Sequence, residues 1–153
     1  MSVRRWGWKR IAAALAAAAI AIAGTIVTVT VISRPAPINA RNLRIPVVDG
    51  PRGHQHVVLD ATFFTPRASG RFPAILLAHG FSETKDAVRP EAEQLTRAGF
   101  AVLTWTARGF GHSTGQVGLD SPDYEVKDVE QLVSWLARQP QVSPRVSLQG
   151  RGA

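Results

Sequence analysis

Hydrophobic and polar positions follow three different rhythms along this chain. The first is an unbroken apolar run from Ile11 to Ile32, 22 residues with no charge, interrupted only by Gly24, Thr25, Thr28 and Thr30. As a helix it would rise about 33 Å, enough for a hydrocarbon core of about 30 Å. The second rhythm is the short run of about four to eight apolar or alternating residues bounded by Gly and Pro, which reads as a strand. It predicts strands over Leu43–Val48, Val57–Phe64, Pro73–Ala78, Ala101–Trp105 and Arg145–Leu148. The third is the helical spacing of Ala92, Leu95 and Ala98, and of Val126, Val129, Leu132, Val133 and Leu136.

The punctuation between these runs fixes their order. Gly50-Pro51-Arg52-Gly53 is a turn, so the first two strands form a β-hairpin. Pro90 suits the first turn of a helix that Gly99 ends, and Ser121 is a candidate cap for a longer helix that Pro140 stops. Ser33 to Ala40, with Pro35 and Pro37, reads as an extended linker. A β-hairpin followed by strand–helix–strand–helix–strand implies an α/β fold whose mostly parallel sheet is covered on both faces. The expected domains are a basic tail (1–10), a membrane segment (11–32), a linker (33–41) and an α/β domain (42–153).

Charge sharpens the first of these. The net charge is +7, but residues 1–32 carry Arg4, Arg5, Lys9 and Arg10 and no acid, while residues 33–153 carry 14 bases against 11 acids. A cluster beside an apolar run, with Trp6 and Trp8 at the boundary, points to a membrane rather than to nucleic acid, for which no basic stripe or finger motif is present. The expected topology is a single pass with the N-terminus inside and the domain outside. The alternative is a signal peptide cleaved after Ala21-Ile22-Ala23, which would release a secreted domain. Absence of cysteine excludes disulfide and thiolate chemistry.

Two segments at the carboxyl ends of predicted parallel strands carry the candidate chemistry. After the third strand comes Ala78-His79-Gly80-Phe81-Ser82, where a His-Gly step turns the backbone sharply and can aim the next N–H into a pocket, although the dipeptide alone reads more simply as an ordinary strand-to-helix loop. One such fixed donor is worth about 3 kcal/mol to a developing oxyanion. After the fourth strand comes Trp105-Thr106-Ala107-Arg108-Gly109-Phe110-Gly111-His112-Ser113-Thr114-Gly115. Together LLAHGF and ARGFGHSTG resemble the α/β-hydrolase fold, in particular the branch of X-Pro dipeptidyl-peptidases and cocaine-esterase-like acyl esterases.

The resemblance covers about residues 42 to 149. It implies an oxyanion hole at Gly80 and Phe81, and a pocket loop that includes His79, Arg108, Gly109 and Gly111. Thr106 stands where the family pattern D-x-R-G-x-G-x-S has Asp. Phe81 lacks the hydroxyl that a tyrosine contributes in some members, so only its backbone is carried over. The implied chemistry is acyl transfer on a small-molecule or peptide substrate, without a cofactor.

Gly111-His112-Ser113-Thr114-Gly115 spells the G-x-S-x-G of a nucleophile elbow, but an elbow needs a strand running straight into the turn and a helix starting at the serine. Seven residues separate Trp105 from Ser113, and no helix can start after it. Ser113 is therefore expected to be a decoy that hydrogen-bonds its own turn. Gly109 and Gly111 also begin a dinucleotide fingerprint, but Thr114 holds the third glycine's place, which removes NAD. His54 and His56 form an H-x-H step with no third ligand evident, so a solvated strand entry is expected rather than a metal site.

In the resembled family the true elbow follows the strand matching Arg145–Leu148; here the sequence reads Gln149-Gly150-Arg151-Gly152-Ala153, with no serine. The family's acid and histidine come later still. The expectation is a hydrolase truncated before its nucleophile and inactive alone, whose last strand is an exposed edge or is completed by another chain. The alternative is a membrane-tethered, non-catalytic pseudoenzyme. Glu91-Ala92-Glu93 and the acids from Asp120 to Asp128 are expected at solvated helix ends.

Overall fold

The computed structural model describes Leu15, residues 35–118 and residues 121–150, the last six of these by backbone only. The segment read as a membrane span lies outside the described residues but for Leu15. Among the described residues no helix is long and apolar enough to cross a membrane. Residues 36–153 form one compact unit.

This unit is a five-stranded sheet with a helix on each face. The elements are β1 (Ile38–Asp49), β2 (Gln55–Pro66), β3 (Phe72–Ala78), α1 (Arg89–Arg97), β4 (Ala101–Trp105), α2 (Glu125–Ala137) and β5 (Val142–Gly150). The strand order is β1-β2-β4-β3-β5. β1 and β2 form the expected hairpin, β2 pairs antiparallel with β4, and β3 runs parallel to both β4 and β5.

The period-two alternation of strands divides the core. In β3, Ala74 and Leu76 face α2 while Ile75 and Leu77 face α1; in β4, Ala101, Leu103 and Trp105 face α2 while Val102 faces α1. Both faces need apolar side chains because both are covered, which is why these strands read as unbroken apolar runs. Phe63 and Trp135 meet edge to face at 5.6 Å and close the α2 side.

Several boundaries differ from the sequence reading. The hairpin strands are 12 residues each, and β1 starts at Ile38, inside the stretch read as linker, because backbone pairing from Ile38–Pro66 to Asp49–Gln55 continues past the apolar residues. In α1, Thr96 rather than Ala98 joins Ala92 on the buried face, its hydroxyl donating to the Ala92 carbonyl at 2.7 Å. Ser121 does not cap α2, which begins at Glu125 with no side-chain cap; instead the Glu125 carboxylate accepts the N–H groups of Gly118 (2.9 Å) and Ser121 (3.2 Å). Val126 is exposed, and Asp128 takes a buried place with Leu132 and Leu136.

Candidate active site

Two loops leave the carboxyl ends of β3 and β4 side by side. The first, His79 to Glu83, is a tight turn closed by the Glu83 N–H donating to the Gly80 carbonyl at 3.2 Å. Ser82 has φ +60°, a left-handed conformation uncommon outside glycine. The Gly80 peptide is held from three sides. Glu83 Oε2 accepts the Gly80 N–H at 3.0 Å, and His79 Nδ1 lies 2.7 Å from the Gly80 carbonyl. Across the gap, His79 Nε2 accepts the Ala107 N–H at 2.9 Å. An imidazole that accepts at Nε2 must carry its proton on Nδ1, so one tautomer satisfies both contacts and staples the turn to the neighbouring loop.

These contacts separate the two expected oxyanion donors. The Gly80 N–H is occupied by a carboxylate, whereas the Phe81 N–H has no acceptor among the described residues. A Cβ at Gly80 would sit 3.1 Å from Glu83 Oε2, so the glycine is what lets the carboxylate approach.

The second loop, Thr106 to Gly118, is bolted to β2. The Thr106 N–H donates to the Asp60 carbonyl (2.8 Å), the Thr114 N–H to the Val58 carbonyl (3.0 Å), and the Val58 N–H to Thr114 Oγ1 (2.8 Å). Arg44 Nη1 donates to the His112 carbonyl at 2.5 Å. Gly109, Gly111 and Gly115 have φ of +75°, +50° and +88°, conformations this path demands. At Gly109 a Cβ would lie 2.7 Å from the Val117 nitrogen. The glycines of the apparent elbow and fingerprint thus serve the loop's own path.

Ser113 is buried, and its hydroxyl is used twice: it donates to the Thr106 carbonyl at 2.6 Å and accepts the Asp60 N–H at 2.9 Å. One partner, Thr106, opens Ser113's own loop just after β4; the other, Asp60, lies within β2, outside the turn that the sequence suggested. Among the described residues no histidine hydrogen-bonds this hydroxyl, and none of them is placed to take its proton.

Arg108, on the expected pocket loop, is 2% exposed. Its Nε and Nη2 form a fork on the Asp128 carboxylate at 2.8 and 3.2 Å, and its plane lies 5.1 Å from the Tyr124 ring. Nη2 also contacts Asp49 Oδ2, and neither Asp49 oxygen has another polar partner among the described residues. One guanidinium therefore faces two buried carboxylates, joining the hairpin, the loop and α2. Burial pushes the Asp128 carboxyl above its usual range; the Arg108 hydrogen bond and charge oppose this, and Glu125 adds to it. Arg108 and Tyr124 border a cavity of about 470 Å³ that His79 and Phe81 do not reach.

Sequence reasoning missed these partners. Asp128 did leave a signal, standing at i−4 and i−8 from Leu132 and Leu136 on the helix's apolar stripe. Lys85 left none. It is buried beneath the second loop, its Nζ 2.7 Å from Asp60 Oδ1 and its N–H on Thr106 Oγ1 at 3.2 Å. The acids read as solvated helix ends are mostly engaged: Asp128 is buried and Glu93 pairs with Arg89 and Arg97. His54 precedes β2, so it does not share a strand face with His56. Residues 151–153 of the expected elbow lie outside the described residues.

The sheet order, the two-sided core and the paired loops belong to the α/β-hydrolase fold, which solved structures share. It superposes on the Pyrococcus furiosus esterase Pf2001 with a TM-score of 0.57 at 23% identity, over 72% of this chain and 41% of that one. It superposes on an α/β hydrolase from Penicillium with a TM-score of 0.54 at 24% identity, over 74% and 37%. The family model of the X-Pro dipeptidyl-peptidases (S15 family) matches residues 52–152, and the chain belongs to that family.

A 31.7 kDa protein from the traX-finO intergenic region of Escherichia coli is 34% identical over 91 residues, 58% of this chain and 32% of that protein. A thiohydrolase of Aspergillus aculeatus is 34% identical over 74 residues, 47% of this chain and 23% of the enzyme. The chain thus spans about a third or less of the curated relatives it matches.

Proposed function

We propose that this chain supplies the oxyanion turn and one pocket wall of a membrane-anchored, extracytoplasmic serine hydrolase of esterase or peptidase type. The observation that carries the reading is the division of labour at Gly80 and Phe81. His79 and Glu83 consume both polar ends of the Gly80 peptide, leaving the Phe81 N–H unclaimed at the carboxyl end of a parallel strand. When a serine adds to a substrate carbonyl, the negative charge moves to the carbonyl oxygen, where a fixed N–H stabilises it without reorganising.

In this reading the serine, the acid and the histidine come from outside the described residues. The histidine takes the serine proton and passes it to the leaving alkoxide or amine as the acyl bond breaks. Residues 11–32 hold the assembly at the membrane, and the 153-residue chain alone is inactive, because Ser113 has no base.

The test is to treat the native membrane and soluble fractions separately with a biotinylated fluorophosphonate and capture from each with an antibody to residues 42–120. A labelled, membrane-bound species is expected. A species recovered only in the soluble fraction would refute the anchor. A membrane-bound species that never labels would refute catalysis and leave a non-catalytic binding module.

A further inference from the structure

Phe81 is the most exposed aromatic side chain of the folded domain, with 65% of its surface open to solvent. It is not isolated. Its ring meets that of Phe110 edge to face at 6.0 Å and 80°, and Phe110 meets His79 at 6.5 Å and 78°. Phe81 comes from the loop after β3 and Phe110 from the loop after β4, so the pair bridges the two loops.

The backbone around both rings is specialised. Phe110 stands between two left-handed glycines, Gly109 and Gly111, and Phe81 precedes the left-handed Ser82. A Cβ at Gly109 would strike the Val117 backbone, so the presentation of Phe110 is set by a close chain crossing rather than by a slack loop. The pair stands at the carboxyl ends of parallel strands, where ligands sit in α/β sheets.

Building on the oxyanion role assigned to the Phe81 N–H, we infer that the Phe81–Phe110 pair is a specificity platform. It selects substrates whose acyl group is flat and apolar. Donor and ring belong to one residue, so a carbonyl oxygen seated on the N–H brings its acyl substituent within a side chain's length of the pair. A short acetyl group cannot cover a ring, whereas a phenyl group can stack on it or meet it edge-on. An aromatic contact of this kind is worth about fivefold in affinity.

The test uses the full chain in mild detergent, which as proposed cannot consume an ester, and follows binding by saturation-transfer NMR. The probes are methyl phenylacetate, methyl acetate and toluene. Methyl phenylacetate is expected to bind and to weaken about fivefold in Phe81→Ala and Phe110→Ala, with circular dichroism unchanged. Methyl acetate is expected to show no such dependence.

Unchanged affinity in both folded alanine variants overturns the platform even if the native protein labels with fluorophosphonate. Toluene binding as tightly as the ester, with the same dependence on both rings, keeps an apolar site. It removes the carbonyl from recognition, which overturns selection of acyl groups. Should either alanine variant unfold, Phe81→Leu and Phe110→Leu are used, with the same loss expected for the aromatic probe.

Discussion

The two loops that leave β3 and β4 side by side are built on opposite principles. The β4 loop is tied to β2 by a ladder of backbone and hydroxyl contacts and anchored from beneath by a buried arginine between two carboxylates. The β3 turn is held by two side chains, His79 and Glu83, and leaves a donor open. In the β4 loop, the proposed pocket wall, the polar groups are spent on the protein. In the β3 turn they are spent on the Gly80 backbone, and the Phe81 N–H is left over, as the proposed oxyanion role would require.

The largest expected effect lies in the wall. Arg108→Met would leave Asp49 and Asp128 facing each other in the interior without a counter-charge. Urea denaturation should show a loss of about 3–5 kcal/mol. A loss within error would show that the guanidinium does not clamp the loop.

Ser113→Ala comes next. It strands the buried Asp60 N–H and removes the donor to the Thr106 carbonyl, for about 1–3 kcal/mol. A nucleophile poised for attack would not be expected to hold the fold in this way, so an unchanged midpoint would count against the structural role.

The acid response should be smaller. The folded state holds the Asp128 proton more tightly than the unfolded state does, so this group's contribution to stability is greatest below 3.8 and is lost as pH rises through the folded value. The difference in Tm between wild type and Asp128→Asn, followed from pH 3 upward, should therefore change in mildly acidic solution and level off towards neutrality. A flat difference across that window would show that the buried carboxyl is not raised.

The smallest effect belongs to the turn. His79→Ala frees the half-buried Ala107 N–H and should cost about 1 kcal/mol, well short of the Arg108 change. A penalty equal to that of Arg108→Met would erase the distinction between wall and turn.

Legibility in the sequence follows the same divide. The strands and helices were visible because their apolar spacing is dictated by a two-faced sheet, and β4 was located to the residue. The strand ends of the hairpin were not, because β1 and β2 pair through their backbones beyond the apolar residues. The turn at His79, Gly80 and Phe81 was legible as a His-Gly step after an apolar strand, and its candidate role came from the family resemblance.

Ser113 was read as bonding within its own turn; one of its partners, Thr106, does open the same loop, but the other, Asp60, lies on β2, which only the folded sheet brings alongside. Arg108 was assigned to its loop, but its partners were not legible, since they are carboxylates 59 and 20 residues away in Asp49 and Asp128.

The central claim is that Ser113 holds the wall together and that any catalytic serine lies elsewhere. Intact-mass spectrometry of the folded 153-residue chain after incubation with a fluorophosphonate tests it most directly. No mass increase is predicted. A stoichiometric adduct on the wild-type chain that disappears in a folded Ser113→Ala variant would contradict it, because a hydroxyl held between Thr106 and Asp60 would then have been activated after all.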